Sequence, residues 1–359
     1  MKIAFYAPLK PPDHPVPSGD RQMGRLLIEA LRRMGHEVEV ASTLRAYLSA
    51  PAAFCDLEIV AREETARLTK QWAANGRPDL WFCYHPYYRA PDLVGPALSR
   101  RFGMPYVTAE ASYAGKRNAD GWAPIQARVI ASVELALVNI CFTKRDRDGL
   151  ARAVPDAVFA DLKPFIDVHC YGDRPHPAPS KLVAVAMMRQ GDKFRSFTML
   201  AAALDLICDR PWRLAVVGDG PARNDVRALF NRFGPERVVW AGEVAPQDVR
   251  SFLLDAAVYV WPGCGEAYGL SYLEAQASGL PVVAQDTAGV PEVVSAGETG
   301  ILTPEADIAA YASAIRRLLD DDRLRRRMAT AARNFVHGQR SLSAAMTRLA
   351  AILEQTVPS

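Results

Sequence analysis

The chain has 359 residues, of which half are apolar and 23% are charged, and its net charge is +3. These values are typical of a globular protein of two ordinary domains, and they exclude wholesale disorder, a collagen-like repeat and a polytopic membrane protein. The excess of positive charge is too small to indicate a nucleic-acid partner.

Strands and helices alternate through the first half of the chain. A helix is predicted from Gly19 to about Met34, with Gly35 in the usual position after a helix C-terminus and Asp20 interpreted chiefly as a helix cap. The predicted strands are Lys2–Ala7, Glu37–Ser42, Leu80–Tyr84 and Tyr106–Ala109. This alternation indicates a parallel sheet that is covered by helices on both faces.

A second alternating series follows the Pro-rich stretch Tyr171–Ser180, which we interpret as an interdomain linker. A break at Gly338 is predicted before a terminal helix, Leu342–Leu353. The predicted strands are Leu182–Met187, Leu214–Val217, Val238–Trp240, Val258–Trp261 and Val282–Ala284. We therefore predict an α/β protein with two Rossmann-like, doubly wound parallel-sheet domains that face a cleft. The N-terminal domain spans 1–172, the C-terminal domain 173–338 and the terminal helix 339–359.

The most informative segment is Val258–Pro304, in which a buried strand, a Gly-rich loop and a helix follow one another. Backbone amides at a helix N-terminus near Tyr268–Ser271 form a ready site for a phosphate group. Glu266 lies in the loop and Glu274 in the first helical turn, so two carboxylates flank this site and suit a ligand with hydroxyl groups on both sides of a diphosphate. Ser271 and Glu274 also match a capping box, which needs no ligand.

This segment resembles the donor-binding motif of retaining glycosyltransferases of the two-domain B type, family 4 in the sequence classification. In that family a Glu-x7-Glu pair is followed by a G-V-P-E-like turn. The resemblance covers the second half of the chain well and the first half loosely. The matching residues are Pro262, Glu266, Tyr268, Gly269, Leu270, Leu273, Glu274, Ala275, Ala277, Gly279, Pro281–Ala284, Gly289, Pro291 and Glu292.

The resemblance implies a role for each part of the donor site. Glu266 would contact the hydroxyls of the transferred sugar, Glu274 would hold the ribose, and the backbone of Ala267, Tyr268, Gly269 and Leu270 would meet the diphosphate. Catalytic cations would come from Arg189 and either Lys193 or Arg195, because the spacing of the family's basic pair does not align cleanly here; a solvated charge run is the alternative. The loops at Gly218 and at Gly242–Val244 would hold the rest of the nucleotide.

The first half departs from the family pattern. Relatives carry Gly-Gly before the first helix, where backbone approaches the donor, and this chain keeps only Gly19 and adds Asp20, for which contact with the sugar is the alternative to a capping role. A family histidine that faces the reacting sugar is replaced by Glu110, which leaves open whether its role has moved. His85 and Tyr87 follow another strand end, and with Glu110 they are candidates for the acceptor site; plain packing is the alternative. In relatives the terminal helix crosses back to the first domain.

The implied function is transfer of a sugar from a nucleotide diphosphate sugar to an acceptor hydroxyl, with retention of the anomeric configuration. No cofactor or metal is expected, since no D-x-D motif or His/Asp cluster stands at a strand end and a cationic loop can stabilise the leaving group. The alternatives are a catalytically silent sugar-nucleotide-binding scaffold, or an epimerase or phosphorylase on the same fold. A nicotinamide dehydrogenase is rejected, because a lone G-x-G after Val217 is weak evidence.

The partners that this resemblance implies are a nucleotide sugar and a sugar, lipid-linked or small-molecule acceptor. The six cysteines form no C-x-x-C pair and the apolar run Ile3–Ala7 stops at Pro8 without the length of a signal peptide. These observations predict a cytoplasmic protein, and leave open a peripheral contact of the N-terminal domain with the inner face of a membrane. The sequence does not identify the nucleotide base, the sugar, the acceptor, the linkage or the oligomeric state.

Overall fold

A computed structural model describes residues 1–171 and 180–356. Contacts between α-carbons divide the chain into two compact units. Unit 1 comprises Met1–Lys163 together with the segment from Leu342 onward, and unit 2 comprises Pro164–Ser341. The predicted linker lies outside the described residues except for its two ends, Tyr171 and Ser180.

Unit 1 contains a six-stranded parallel sheet with helices between successive strands. Its strands are β1 (Lys2–Tyr6), β2 (Glu37–Ser42), β3 (Leu80–Tyr84), β4 (Tyr106–Ala109), β5 (Val138–Cys141) and β6 (Phe159–Asp161), in the order β2-β1-β3-β4-β5-β6. Its helices are α1 (Gly19–Arg33), α2 (Phe54–Asn75), α3 (Gly95–Phe102), α4 (Ala123–Leu135), α5 (Lys144–Ala153) and the terminal helix, Leu342–Thr356. Strands β3, β4 and β5 are buried throughout, and their residues are apolar except for Thr108 and Asn139.

Unit 2 repeats this plan. Its strands are β7 (Lys181–Val185), β8 (Arg213–Val217), β9 (Val238–Gly242), β10 (Val258–Val260), β11 (Val282–Gln285) and β12 (Gly300–Thr303), in the order β12-β11-β10-β7-β8-β9. Its helices are α6 (Asp192–Asp205), α7 (Arg223–Leu229), α8 (Pro246–Asp255), α9 (Leu270–Ala277), α10 (Ile308–Asp320) and α11 (Asp322–Gln339); the terminal helix is α12. The predicted fold class, two doubly wound parallel sheets, is confirmed.

Helix α12 belongs to unit 1, although it follows unit 2 in the chain. It packs against α1, and its buried positions, Leu342, Ala345, Leu349, Ile352 and Leu353, form one apolar face. The predicted break at Gly338 is wrong, because Gly338 lies inside α11 and the helix ends at Gln339 instead, with Arg340 as its C-cap. A single glycine in a helix costs only about 1 kcal/mol, so it need not end one.

In each sheet the order in which successive strands are added reverses at one place, the topological switch point. In unit 1 the chain builds β2 on one side of β1 and then places β3 on the other side, and in unit 2 it builds β8 and β9 before placing β10 on the other side of β7. Loops that leave the carboxyl ends of two such neighbouring strands diverge, and ligands of doubly wound sheets bind in the crevice between them. Ligand-binding residues are therefore expected in the loops after β1 and β3 in unit 1, and after β7 and β10 in unit 2.

Candidate active site

The loop after β10 runs from Trp261 to Gly269 and is held by buried side chains. Tyr272, which is fully buried, donates a hydrogen bond from its hydroxyl to the carbonyl of Trp261 at 3.0 Å. Gln285 donates to the carbonyl of Pro262 at 3.3 Å, and the amide of Cys264 donates to Ser196 Oγ at 2.9 Å. The loop is thus fixed to β11 and to α6, which gives its side chains a defined position.

Glu266 is the predicted functional side chain of this loop. Its Oε2 forms an ion pair with Nζ of Lys193, the second residue of α6, and accepts a longer hydrogen bond of 3.4 Å from Nε1 of Trp261. The Lys193 ammonium also lies 5.5 Å from the centre of the Trp261 ring. Lys193 and Glu266, which are 73 residues apart in the sequence, are therefore brought together at the topological switch point of unit 2.

The three predicted cations have different surroundings. Lys193 is partly buried and bound to Glu266. Arg195 is exposed and forms an ion pair with Asp192, one helical turn away. Arg189 lies in the loop after β7 with an exposed side chain. Of the two alternatives for the second cation, Lys193 is the one that the fold places beside Glu266.

Helix α9 begins at Leu270, and its N-terminus lies where the sequence predicts a phosphate site. The capping box is wrong, because the N-cap is Gly269, which has no side chain to accept a hydrogen bond. Ser271 instead accepts from the Tyr259 hydroxyl at 2.9 Å. The first amides of a helix have no partner within it, so this terminus can donate to an anion. Glu274 lies in the second turn rather than the first, and it adds to the effect of burial in raising the pKa of Tyr171.

Three other loops of unit 2 meet at the same edge of the sheet. The amide of Gly218 donates to the carbonyl of Gly242 at 2.8 Å, and the amide of Met188 donates to the carbonyl of Asp219 at 2.9 Å. A Cβ atom at Gly218 would overlap the carbonyl oxygen of Ala186, so glycine is required for this approach. Gly218, Gly242 and Val244 are all partly exposed. The predicted nucleotide residues are therefore contiguous with the loop after β7.

The acceptor candidates of unit 1 also lie together. His85 follows β3 and Glu110 follows β4, and both adopt a left-handed backbone, with φ of 59° and 58°. Non-glycine residues rarely do so, and such strain is concentrated at functional sites. Nδ1 of His85 lies 3.1 Å from Oδ1 of Asp20 and 4.0 Å from Oε1 of Glu110, and the His85 and Tyr87 rings are 5.3 Å apart.

The expected capping role of Asp20 is wrong. Ser18 is the N-cap of α1 and accepts a hydrogen bond from the amide of Arg21 at 3.2 Å, so Asp20 is left to face His85. Gly19, the donor-loop glycine predicted in unit 1, is exposed, and a Cβ there would meet nothing within 4 Å. The sequence alone did not reveal the Asp20–His85 contact, because a local cap was the nearer explanation.

Electrostatics keep His85 protonated. Burial, the largest single influence, lowers its pKa, but Glu110, Asp20 and the more distant Asp146 together outweigh it and raise the pKa to about 9. The pKa of Asp20 is lowered, since its hydrogen bond to His85 and the charge of that ring overcome the effect of burial. At neutral pH the cluster therefore contains an imidazolium between carboxylates. The imidazolium can donate a hydrogen bond to a hydroxyl oxygen, and the carboxylates can accept one from a hydroxyl O–H.

Two kinds of feature are absent from the part of the chain that the structure describes. No group of three or more His, Cys, Asp or Glu side chains in residues 1–171 and 180–356 is arranged to hold a metal ion. In the same part of the chain, no helix has the length and apolar character needed to cross a membrane.

Comparison with known proteins gives consistent relatives. A profile of the family described as Glycosyl transferases group 1 matches residues 179–321. The chain is 30% identical over 310 residues to a D-inositol 3-phosphate glycosyltransferase of Streptomyces coelicolor, covering 75% of this chain and 67% of the relative. It is 35% identical over 147 residues to an alpha-D-kanosaminyltransferase of Streptomyces kanamyceticus, covering 41% of this chain and 38% of the relative. The chain thus spans between 38% and 67% of the length of these two relatives.

Solved structures share the whole fold. Sucrose-phosphate synthase from Thermosynechococcus elongatus matches with a TM-score of 0.79 at 21% identity, covering 99% of this chain and 98% of that one. HepE from Anabaena, in a complex with UDP, matches with a TM-score of 0.73 at 15% identity, covering 99% of this chain and all of that one. Similarity at such low identity establishes the fold and not the activity. Taken with the sequence relatives, it shows that this chain belongs to the Glycosyl transferases group 1 family of two-domain glycosyltransferases with the GT-B fold.

Proposed function

We infer that the protein is a retaining, metal-independent glycosyltransferase that moves a sugar from a nucleotide diphosphate sugar to an acceptor hydroxyl. The observation that carries this proposal is the Lys193–Glu266 ion pair beside the N-terminus of α9, at the topological switch point of unit 2. A cation, a carboxylate and a row of helix amides are the groups that a sugar diphosphate requires.

Each group of unit 2 has one part of the donor to bind. The amides at Gly269, Leu270 and Ser271 receive the diphosphate, with Lys193 and Arg189 as counter-charges. Glu266 accepts hydrogen bonds from the sugar hydroxyls and Glu274 from the ribose. As the sugar–oxygen bond breaks, negative charge grows on the departing diphosphate, and preorganised cations and amides stabilise it more strongly there than in the ground state.

The same groups support a reaction without a metal. A divalent ion in such a reaction neutralises the leaving diphosphate, which here is the task of Lys193, Arg189 and the α9 amides. Transfer should therefore be unchanged by a chelator. Activity that is lost with EDTA and restored by magnesium or manganese would overturn this part of the proposal.

A UDP-linked sugar is the first donor to test, since HepE binds UDP on the same fold. Retention is supported by the match of Glu266 and Glu274 to the motif of retaining enzymes. The anomeric configuration of the product, measured from the proton coupling constant by NMR, tests whether the reaction proceeds with retention. An inverted product would contradict retention while leaving sugar transfer itself intact.

We assign the acceptor to unit 1. His85 and Glu110 stand side by side with Tyr87 against the His85 ring, and an imidazolium, a carboxylate and an aromatic face are suited to a polyhydroxyl compound. Candidate acceptors are a sugar, a lipid-linked sugar or a small molecule; the name of one relative, a D-inositol 3-phosphate glycosyltransferase, suggests inositol phosphates for the first screen. A cytoplasmic location, with or without peripheral contact with the inner face of a membrane, stays a prediction that cell fractionation tests.

The competing proposal is a silent sugar-nucleotide-binding scaffold. Titration calorimetry with UDP, GDP and ADP, followed by an assay for release of the nucleotide diphosphate from the matching nucleotide sugars, separates the two. Binding with turnover supports the transferase. Binding without hydrolysis or transfer to any acceptor in the screen supports the scaffold.

A further inference from the structure

Trp261 contacts both charged partners of the candidate donor site, although no role has been assigned to it. It is 1% exposed and stands between β10 and the donor loop. Its indole N–H donates to Oε2 of Glu266 at 3.4 Å, and its ring face lies 5.5 Å from Nζ of Lys193. Its ring packs against that of Phe197 in a T-shaped arrangement, with ring centres 4.9 Å apart. The indole is thus held by the core and presents its polar edge and one face to the site.

The contacts on Glu266 converge on one oxygen. Lys193 and Trp261 both bind Oε2, and within residues 1–171 and 180–356 no donor reaches Oε1. A carboxylate that is fixed through one oxygen presents the other in a defined direction. Oε1 is therefore the oxygen available to a hydroxyl group of a ligand.

No smaller apolar side chain could make both contacts. A phenylalanine would keep a ring face for Lys193 but lose the N–H donor, and a leucine would lose both. Core packing explains why residue 261 is large and apolar. It does not explain why its one polar atom and one ring face reach the two charged groups of a single ion pair.

We propose that Trp261 is a positioning residue of the donor site: it fixes Glu266 through Oε2, so that Oε1 meets the sugar, and it holds the Lys193 ammonium at the junction of sugar and diphosphate. The identity of the ligand rests on the proposed function, whereas the arrangement of the three side chains does not. Trp261 acts through Glu266 and Lys193 and touches no substrate itself.

The kinetic test compares Trp261→Phe with Trp212→Phe. Trp212 is an equally buried residue of the same unit whose N–H donates to the carbonyl of Ile207 at 3.1 Å and whose ring lies 4.8 Å from the Arg237 guanidinium. Both changes remove one N–H hydrogen bond beside a cation and should destabilise unit 2 similarly. Only Trp261→Phe should lower kcat, by about tenfold, the worth of one hydrogen bond to a charged group.

Nucleotide affinity gives the second half of that test. The Kd for UDP should change less than about twofold in Trp261→Phe, because the altered contact lies on the sugar side of the site. Trp261→Leu should lower kcat further. Equal kcat in the two phenylalanine variants would overturn the proposal, as would a parallel loss of kcat, UDP affinity and thermal stability in Trp261→Phe.

A spectroscopic readout tests the arrangement without any turnover. In the ¹⁵N–¹H spectrum, the indole signal of Trp261 is identified by its absence in Trp261→Phe and that of Trp212 by its absence in Trp212→Phe. Lys193→Met and Glu266→Gln should each shift the Trp261 signal and leave the Trp212 signal in place. If neither change moves it, the proposed arrangement is wrong. If the signal moves and wild-type protein transfers no sugar, the arrangement stands and the proposed function fails.

Discussion

Nδ1 of His85 and Oδ1 of Asp20 lie 3.1 Å apart, although 65 residues separate them in the chain. The contact joins the start of α1, the helix that follows β1, to the end of β3. Strands β1 and β3 flank the topological switch point of unit 1. Glu110, from the end of β4, approaches the same nitrogen at 4.0 Å. An imidazolium between carboxylates is thus built at the edge where ligands of such sheets bind.

The charge of His85 predicts a pH dependence of stability. Its folded pKa of about 9 exceeds the ordinary value of 6.5, because Asp20, Glu110 and Asp146 outweigh the burial that opposes the charge. The folded state therefore holds this proton more tightly. The resulting stabilisation is complete below pH 6.5 and is lost as the pH rises to about 9.

NMR titration and unfolding measure this effect together. The Cε1 proton of His85 should titrate near pH 9, whereas His36, whose pKa is lowered by burial and by the terminal amine, serves as a reference in the same spectrum. The difference in unfolding free energy between wild type and His85→Gln should shrink as the pH rises between these limits. A His85 titration at or below its ordinary pKa would contradict the ion cluster.

The two glutamates of the donor motif should fail in different ways. Glu266→Gln should reduce kcat by about 100-fold or more, the usual cost of one preorganised catalytic contact, while UDP affinity changes little. Glu274→Ala should chiefly weaken UDP binding, and it should cost no helix cap, because Gly269 and not Ser271 is the N-cap. Calorimetry and steady-state kinetics measure both, with the exposed Glu305→Gln as a control. Equal losses of stability, affinity and rate in the two variants would argue against the assignment.

The three cations should differ in importance. Lys193→Met should lower kcat most, because Lys193 alone of the three is bound to Glu266. Arg189→Met should lower it as well, through the diphosphate. Arg195→Met should have the smallest effect, since its guanidinium is exposed and bound to Asp192. A liganded structure should place at least two of the three within salt-bridge distance of the diphosphate; all three pointing to solvent would refute the idea.

Replacing Gly269 by alanine should be more costly than the same change at Gly297, which serves as the control. Gly269 and Gly297 both have left-handed backbones, with φ of 81° and 77°, so alanine costs about 1–2 kcal/mol at either. Only at Gly269 would the new Cβ lie 2.7 Å from Cδ2 of the fully buried Tyr272, which adds about 1–3 kcal/mol of overpacking. Chemical unfolding and UDP titration should show the larger loss in Gly269→Ala. Equal losses would mean that Tyr272 yields without cost.

Helix α12 should stabilise unit 1. Replacing the fully buried Leu349 by alanine should lower the free energy of unfolding by about 2–5 kcal/mol. Hydrogen exchange should then become faster in unit 1, while unit 2 keeps its affinity for UDP. The exposed Glu354→Ala, in the same helix, should change neither. Loss of UDP binding with unit 1 intact would contradict the grouping of α12 with unit 1.

The sequence predicts most of the sheets because buried parallel strands are short apolar runs between turn signals. Strand β5, Val138–Cys141, escapes notice because apolar residues of α4 lead directly into it, and β12, Gly300–Thr303, because it is short and begins with glycine. Gly338 shows the opposite error, since a residue that often ends helices lies inside α11. Both errors arise where tertiary packing outweighs local preference.

The candidate site is predictable only where it is local. Glu266, Gly269 and Glu274 lie within one loop and one helix, so spacing and resemblance identify them together. Lys193 beside Glu266 and Asp20 beside His85 depend on which strands become neighbours, which no local pattern shows. The same holds for Trp261, whose polar edge could be recognised only once its position at the strand end was known.

A crystal structure of the wild-type protein soaked with a UDP-sugar tests the central claim most directly. The account predicts the diphosphate within hydrogen-bond distance of the Gly269–Ser271 amides, the ribose at Glu274 and the sugar at Oε1 of Glu266, with Lys193 near the sugar–phosphate bond. A diphosphate bound away from the α9 N-terminus, or a sugar that makes no contact with Glu266, would contradict it.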